Sequence, residues 1–433
     1  MKLETYSFGM GDRFGAEGSA QLRALQKAEQ QGVLIIPVWN KSNREHITIG
    51  TVPGDTRREA EDAVRLNGWT HAYHVDADHI GIATVGRFID SSDFFTIDVA
   101  DFIGVPPAKE TVRSFVEAMS RFKGTLSIPG IDRPFAVTDE TLKSVAVKYL
   151  TAIAEAGKVY RAIVDRKGAD AIIPEISVDE AGAPQTPEEL FFILAAAAQE
   201  KIPLQTIAPK FTGSFLKGID YVGNRDQFRK EFEDDLAVLA FAAKAFGLPS
   251  NLKLSVHSGS DKFSIYSIIH RAIRKSGAGL HLKTAGTTWL EELIGLASAG
   301  GEGLNVAKEI YAAAMERYDE LCAPYKTVID IDMKKLPKPE TVTRWSGEEY
   351  VEALRHDQSC AGYNLHFRQL VHVAYKIAAE MGARYSGLLK ECRKEIEENV
   401  TLNLYERHVR PIFLGQEPGS PSVQSSKTSA VKV

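Results

Sequence analysis

Length, composition and charge place the chain among ordinary globular proteins. It has 433 residues, of which 44% are hydrophobic and 25% are charged, which suffices for one large α/β domain with additions or for two domains. The formal charge of −5 is small for this length and no basic stripe occurs, which argues against a nucleic-acid partner. No stretch approaches the roughly 20 apolar residues that span a membrane, so a membrane partner is not expected either.

The cysteines and the N-terminus favour a cytoplasmic protein. Cys322, Cys360 and Cys392 are far apart and odd in number, so they do not form a disulfide framework and are typical of a reducing compartment. The N-terminus lacks the apolar segment of a signal peptide.

Short runs rich in β-forming residues alternate with longer helical patterns, beginning with helices predicted at 20–31 and 57–66. Eight strands separated by helices are the arrangement of a TIM (β/α)8 barrel, so we predict this α/β fold for residues 1–288. The predicted strands cover residues 5–13, 33–40, 70–78, 94–101, 169–180, 203–211, 251–260 and 279–286.

Two further segments interrupt or follow the predicted barrel. Residues 104–168, after the fourth strand, contain helical patterns near 108–123 and 139–167, and we expect this insertion to lie over a site. Residues 289–414 form a predicted helical C-terminal extension that covers the barrel or makes subunit contacts, so a homo-oligomer is possible. Residues 415–433 have the composition of a disordered tail.

Histidines close three of the predicted strands. A TIM barrel carries its reactive groups at the carboxyl ends of the strands, and His79, His257 and His281 end the third, seventh and eighth strands. A single histidine at a strand end is usually a hydrogen-bonded wall residue, but three at one mouth favour a divalent metal ion. Zinc, manganese, cobalt and nickel all suit imidazole ligands, so the ion is not identified.

Two carboxylates are the candidate acid/base groups. Asp78 stands next to His79, and a regular strand would direct the two side chains apart, so they share a site only where the chain turns. A helix N-cap is the alternative role for Asp78. Glu175 ends the fifth strand, and its alternative is an ion pair with Lys210 or Lys283.

Basic and hydroxyl side chains at the same strand ends are candidates for substrate binding. Arg13, Lys210 and Lys283 can hold a carboxylate, and Ser258 in "HSGSDKFS" offers a hydroxyl and a backbone N–H to an oxyanion. Each of these signals is weak alone, because lone basic residues are often structural and small residues often only form turns.

Five sequence blocks follow one another along the chain: "HVDADHIG", "PEISVDE", "APKFTGSFLKGIDY", "SVHSGSDKFSIY" and "LHLKTAGTTWLE". In this order they resemble the tagaturonate epimerase family, and the resemblance covers about residues 5–414. It implies a metal-dependent isomerase of hexuronate catabolism that interconverts D-tagaturonate and D-fructuronate.

The order of site residues also resembles the class II aldolases, which are TIM barrels. This resemblance implies acid/base roles for Asp78 and Glu175. It implies metal binding by His79, His257 and His281. The aldolase phosphate loop is replaced here by residues 257–261, in which the charge of Asp261 argues against a phosphorylated substrate.

The two sugar acids differ at C4, whose hydrogen is not acidified by the C2 ketone. A retro-aldol and aldol sequence through a metal-stabilised enediolate avoids that problem. In this hypothesis Asp78 and Glu175 transfer protons, Asp76 orients a histidine, and basic residues hold the C6 carboxylate. The alternatives are an aldolase that releases the fragments, an isomerase acting between C1 and C2, an unphosphorylated ketohexose as substrate, and a catalytically silent sugar-acid binding protein.

Overall fold

A closed barrel of eight parallel strands organises the molecule, as the sequence predicts. The computed structural model describes residues 1–258, 260–284 and 286–416, so most of the predicted tail, 417–433, lies outside the described residues. The strands are β1 (Tyr6–Gly11), β2 (Ile36–Ser42), β3 (His74–Ile80), β4 (Phe94–Asp98), β5 (Gly124–Leu126), β6 (Phe135–Val137), β7 (Ile173–Ser177), β8 (Thr206–Ala208), β9 (Lys253–His257) and β10 (Leu280–Thr284).

The barrel closes in the order β1-β10-β9-β8-β7-β4-β3-β2, while β5 and β6 form a separate antiparallel pair. Each of the eight predicted strands is present, although most are shorter than predicted because their flanking residues lie in loops and turns.

Helices surround the barrel. The first group is α1 (Gly18–Glu29), α2 (Asn43–Ile49), α3 (Pro53–Leu66), α4 (Lys109–Met119), α5 (Asp139–Lys167), α6 (Pro187–Gln199), α7 (Arg225–Phe246) and α8 (Phe263–Ser276). Side-chain caps set several of their starts: Ser42 with Glu45 begins α2, and Thr186 with Glu189 begins α6.

The C-terminal extension is helical, as predicted. Its helices are α9 (Thr287–Ala299), α10 (Gly301–Glu316), α11 (Tyr318–Cys322), α12 (Pro339–Thr343), α13 (Gly347–Leu354), α14 (Leu365–Val373), α15 (Tyr375–Glu380), α16 (Ala383–Glu391) and α17 (Arg393–Leu402). A π-helical segment, Asn403–Leu414, follows and packs against α1 and α8. The extension therefore returns to the helix ring of the barrel.

The segment between β4 and β7 lies in the helix ring. Its long helix α5 packs against β4 and α6, and Lys148 of α5 pairs with Glu189 of α6 at 2.7 Å. Phe122 packs edge-on against Phe191 of α6. These contacts do not put α5 over the barrel mouth, where the sequence led us to expect the insertion.

The barrel interior changes from apolar to charged along the strands. A small cluster of Leu3, Val38, Phe94 and Ile173 fills the end near the start of the strands. Inward-facing positions two and four residues further along each strand are polar, because side chains alternate between the two faces of a strand. The polar layer therefore lies toward the carboxyl ends. No helix in the described part of the chain combines the length and hydropathy needed to cross a membrane.

Candidate active site

One lysine contacts three carboxylates inside the barrel. Lys283 Nζ on β10 lies 2.7 Å from Asp76 Oδ2, 2.7 Å from Asp78 Oδ1 and 3.4 Å from Glu175 Oε1. It also donates a hydrogen bond to Thr96 Oγ1. An ammonium group has three N–H donors, and these protein groups engage all of them.

The structure shows which of the two candidate lysines pairs with Glu175. Glu175 pairs with Lys283, one of the two lysines named from the sequence. Lys283, which the sequence analysis named as a possible substrate-binding residue, is paired with protein carboxylates in this structure. Gly9 on β1 makes room for its stem, since a Cβ atom at Gly9 would lie 2.7 Å from Lys283 Cγ.

The chain turns at the end of β3, which brings Asp78 and His79 into one site. His79 has φ +52°, in the left-handed region that few residues other than glycine adopt. The pairing of β3 with β4 also shifts register between Ala77 and Ile80. The sequence analysis expected Asp78 and His79 to share a site only if the chain turns between them. The chain does turn here, and His79 Nδ1 lies 2.9 Å from Asp78 Oδ1.

His79, Asp179 and His257 form a group that we call the Asp179 cluster. His79 Nε2 lies 3.5 Å from Asp179 Oδ1, and His257 Nδ1 lies 3.3 Å from Asp179 Oδ2. One ligand atom from each residue lies within 4.8 Å of the others. Two imidazoles and one carboxylate match the donor set of catalytic zinc sites and suit other divalent transition metals.

His281 does not belong to the Asp179 cluster. In the pairing of β10 with β9, Lys283 is level with His257, whereas His281 is level with Ser255. Two residues of strand separate the levels, about 6.6 Å. His281 Nδ1 lies 2.8 Å from Ser7 Oγ, and burial lowers the pKa of the ring to about 3.

Each histidine of the Asp179 cluster uses its second ring nitrogen on a candidate acid/base group. His79 Nδ1 donates to Asp78, and His257 Nε2 donates to Glu175 Oε1 at 2.9 Å. A carboxylate on the outer nitrogen fixes the tautomer and orientation of a metal-binding histidine. The two carboxylates therefore lie one imidazole ring away from the possible metal position.

Opposite charges decide which carboxyls are ionised. Burial raises the pKa of Asp78, but Lys283 and His79 outweigh burial and hold that pKa well below its usual range. For Glu175 the same opposition, with Lys283 and His257 attracting, also holds the pKa well below its usual range. Burial raises the pKa of Asp76 to about 6, because repulsion by Asp78 and Glu175 offsets the attraction of Lys283.

The expected oxyanion loop is engaged by the protein itself. Ser258 donates its Oγ–H and its backbone N–H to the Lys283 carbonyl at 2.7 and 3.0 Å. Ser260 Oγ accepts the N–H of Gly218 at 2.7 Å. Gly259, between them, lies outside the described residues.

The other two predicted basic residues lie in loops around the mouth. Lys210 donates from Nζ to the Ala181 carbonyl and from its backbone N–H to Gln185 Oε1 at 2.7 Å. Arg13 Nη1 donates to the His372 carbonyl at 2.9 Å, so it contacts the C-terminal extension. These contacts do not bring Lys210 and Arg13 together.

Asp261, in the loop after β9, forms a second buried group with Arg368, His356 and His408, which we call the Asp261 cluster. Its Oδ2 lies 2.8 Å from Arg368 Nη2 and 3.3 Å from His356 Nδ1, and its Oδ1 lies 3.2 Å from His408 Nε2. Burial raises the pKa of Asp261, but Arg368 and the histidines hold it well below its usual range. The Asp261 charge is thus neutralised within the fold.

Asp179 is the residue that the sequence analysis missed, because it considered only Glu175 at the end of the fifth strand. A usable signal was present: Glu175, Ser177 and Asp179 alternate with period two, as residues on one face of a strand do. Asp76 also differs from its expected role, since it contacts Lys283 and Thr96 and not a histidine.

With this geometry established, the chain can be compared with known proteins. The family model described as "UxaE: tagaturonate epimerase" matches residues 1–409. The chain belongs to the tagaturonate epimerase family. Its relatives are isomerases of the epimerase type, and so is this enzyme.

Relatives and solved structures agree with this membership. The "Tagaturonate/fructuronate epimerase" of Thermotoga maritima is 28% identical over 423 residues, covering 93% of this chain and 80% of that protein. Two crystal structures of the fructuronate-tagaturonate epimerase UxaE of Cohnella laeviribosi, native and with one glycerol, are each 24% identical, with TM-scores of 0.76 and 0.77. Each match covers 95% of this chain and 82% of the other and supports the shared fold.

Proposed function

We propose that this epimerase interconverts D-tagaturonate and D-fructuronate by inverting C4, and that it requires a divalent metal ion held by His79, Asp179 and His257. The observation that carries the proposal is the pairing of each ligand histidine with a carboxylate, Asp78 or Glu175, on its other ring nitrogen. Two potential acid/base groups thereby flank one metal position at the barrel mouth.

The donor set of the Asp179 cluster fits such an ion. Its nitrogen and oxygen atoms converge, and His257 Nδ1 and His79 Nε2 both face the Asp179 carboxylate. When bound, a divalent ion supplies Lewis-acid stabilisation of negative charge on substrate oxygens, which is worth several kcal/mol in such reactions.

Asp78 and Glu175 supply the proton transfers of a retro-aldol route. One carboxylate removes the proton of the C4 hydroxyl, the C4–O bond becomes a carbonyl, and the C3–C4 electron pair moves toward the C2 carbonyl. The aldehyde rotates, C3 attacks its opposite face, and a carboxyl returns the proton to O4. Atoms and electrons balance without a redox cofactor.

Lys283 keeps both carboxylates able to accept that proton. Its ammonium lies within 3.4 Å of Asp78 and Glu175 and opposes the burial that would otherwise protonate them. A general base must be ionised and within hydrogen-bonding reach of the proton it removes. Burial raises the pKa of Asp76 to about 6, so Asp76 takes up a proton more readily than Asp78 or Glu175 as pH falls.

The route is tested with D-fructuronate carrying deuterium at C4. We expect D-tagaturonate to form with the deuterium retained, in ordinary water, because the C4–H bond never breaks in a retro-aldol step. Product and label are followed by NMR. Loss of the label would exclude the retro-aldol route in favour of C4 deprotonation.

The same NMR experiment separates the alternative activities. An aldolase would release three-carbon fragments in place of the epimer, and an isomerase would exchange hydrogen at C1 or C2. Asp78→Asn should slow product formation by about 10²–10⁴-fold, whereas Glu180→Gln, an exposed neighbour of Asp179 outside the Asp179 cluster, serves as the matched control. Absence of turnover with any divalent metal would contradict the proposed function.

A further inference from the structure

Three cations lie together at the barrel mouth on a platform of two tyrosine rings. The Arg13 guanidinium carbon lies 3.9 Å from the centre of the Tyr375 ring. Arg44 and Lys217 lie 4.9 and 5.6 Å from the centre of the Tyr325 ring. The two tyrosine hydroxyls are 3.2 Å apart, so the platform is continuous. We call Arg13, Arg44 and Lys217 the cation cluster.

Separate parts of the chain bring the cation cluster together. Arg13 follows β1, Arg44 lies in α2 after β2, and Lys217 lies in the loop between β8 and α7. Both tyrosines come from the C-terminal extension, and the Lys217 backbone N–H donates to the Val328 carbonyl at 2.8 Å. The extension thus completes this part of the mouth.

The cation cluster has fewer anionic partners than charges. Arg13 Nε lies 3.3 Å from Glu45 Oε1, while Arg44 and Lys217 form no ion pair within the described residues. Burial lowers the pKa of Lys217, and the positive charges of Arg13 and Arg44 lower it further. Mutual repulsion of this kind is relieved when an anion binds between the cations.

A buried histidine adds a free hydrogen-bonding group beside Arg13. His372 is fully buried, and neither of its ring nitrogens has a hydrogen-bond partner among the described residues. A Cβ atom at Gly286, where φ is +83°, would lie 2.3 Å from His372 Nε2 and 3.0 Å from Arg13 Nη2. Glycine at this position therefore lets both groups approach the same point.

The cation cluster adjoins the acid/base group Asp78. Glu45, the partner of Arg13, accepts the backbone N–H of Ser42 at 3.0 Å. Ser42 is paired with Asp78 in the β2–β3 register, and neighbouring strands lie about 4.8 Å apart. One strand spacing and one side chain separate the acid/base carboxylate from the cations.

We propose that Arg13, Arg44 and Lys217 bind the carboxylate of the sugar acid and thereby select acids over neutral sugars. This inference rests on the proposed function and assigns specificity to Arg44 and Lys217, which the sequence analysis did not name as candidates. Charged donors bind carboxylates strongly and with fixed orientation. In the retro-aldol route, C6 remains on the aldehyde fragment, so a held carboxylate retains that fragment while its carbonyl rotates.

The test measures carboxylate binding without turnover. Glycerate, which carries a carboxylate beside two hydroxyl-bearing carbons, is titrated by calorimetry into the chelator-stripped protein, with glycerol as the uncharged comparison. We expect glycerate to bind and glycerol not to bind. Lys217→Met and Arg44→Met should each weaken glycerate binding by about 10- to 100-fold, whereas Lys326→Met, an exposed lysine beside Tyr325, should not change it.

Kinetics of the metal-loaded enzyme provide a second readout. Each cluster variant should raise KM for D-fructuronate by about tenfold or more while changing kcat by less than about threefold. Failure of wild-type protein to bind glycerate, or binding that survives both substitutions, would overturn the carboxylate site. The two proposals can also fail separately. If wild-type protein binds glycerate, both variants lose that binding, and the metal-loaded wild-type protein does not epimerise D-fructuronate, the carboxylate site is upheld and the proposed function is rejected.

Discussion

The Asp179 and Asp261 clusters have similar composition but different surroundings. In each, an aspartate in a loop after a barrel strand meets two histidine rings. Asp179 and His79 expose 22% and 23% of their side chains, whereas Asp261 and its partner Arg368 are fully buried. Arg368 also donates to the carbonyl of Gly218, in a loop, and to the carbonyl of Leu354, at the end of α13, which closes the Asp261 cluster.

This difference teaches that residue types alone do not mark an active site. The Asp261 cluster joins the barrel to the C-terminal extension, since Arg368, His356 and His408 all come from that extension. The Asp179 cluster faces the barrel opening, and its histidines are hydrogen-bonded to Asp78 and Glu175, the carboxylates that we propose as acid/base groups. Exposure and neighbouring groups, more than composition, separate catalysis from structure.

The largest expected effect is on catalysis at Asp78, which accepts a hydrogen bond from His79 of the Asp179 cluster. Asp78→Asn removes a proton acceptor while keeping the shape of the side chain, so kcat should fall by about 10²–10⁴-fold. Steady-state rates with D-fructuronate measure the change. A loss below about tenfold would show that Asp78 does not transfer the proton.

A substitution in the Asp261 cluster should lower the stability of the folded protein. Asp261→Asn leaves the buried Arg368 charge without its counter-ion, which should lower the free energy of unfolding by about 3–5 kcal/mol. Urea denaturation measures this loss, and the exposed Asp226→Asn is the matched control. Metal content per folded molecule should not change. A stability loss below about 1 kcal/mol, or a loss of metal, would break the contrast between the clusters.

A substitution at Asp179 should affect metal binding with little effect on folding. Asp179→Asn removes one negative ligand from a partly exposed site, and the metal dissociation constant should rise by on the order of 10–100-fold. Competition with a fluorescent chelator measures the affinity. If Asp179→Asn binds metal as tightly as Glu180→Gln does, the metal lies elsewhere.

The smallest effect concerns a buried carboxyl that has neither a histidine nor a cation paired with it in the described residues. Burial and the nearby Asp12 raise the pKa of Glu17 from 4.5 to about 8. The folded state therefore holds this proton more tightly than the unfolded state does. The protonated Glu17 therefore makes its full contribution to the free energy of unfolding below pH 4.5, and this contribution is lost as pH rises to about 8.

Glu17→Gln should flatten that part of the stability profile. Thermal midpoints of wild-type protein and variant should converge near pH 4.5 and differ by a few degrees at pH 8.5, with the variant higher. Parallel profiles for the two proteins would show that Glu17 does not titrate in this range.

The fold was readable from the sequence because eight β-rich runs alternate with helical patterns. Asp78, His79, Glu175 and His257 were likewise expected to lie near one another from their places at strand ends, and the structure brings them together. The position of His281 along the barrel axis could not be predicted from the sequence. His281 lies two residues below the position level with His257, and this offset follows from the register of β10 against β9.

The remaining site residues depend on contacts between distant parts of the chain. Arg44 and Lys217 come together only because Tyr325 of the extension lies between them, and no local pattern encodes that approach. The packing of α5 against α6 is likewise a tertiary contact that the sequence did not indicate.

Metal reconstitution of the wild-type enzyme tests the central claim most directly. Protein stripped with chelator is supplied separately with Mn²⁺, Zn²⁺, Co²⁺ or Ni²⁺, its metal content is measured, and D-fructuronate conversion is followed by NMR. We predict no epimerisation by the stripped protein and D-tagaturonate formation that rises with metal to one ion per chain. Full activity in verified metal-free protein would contradict the account.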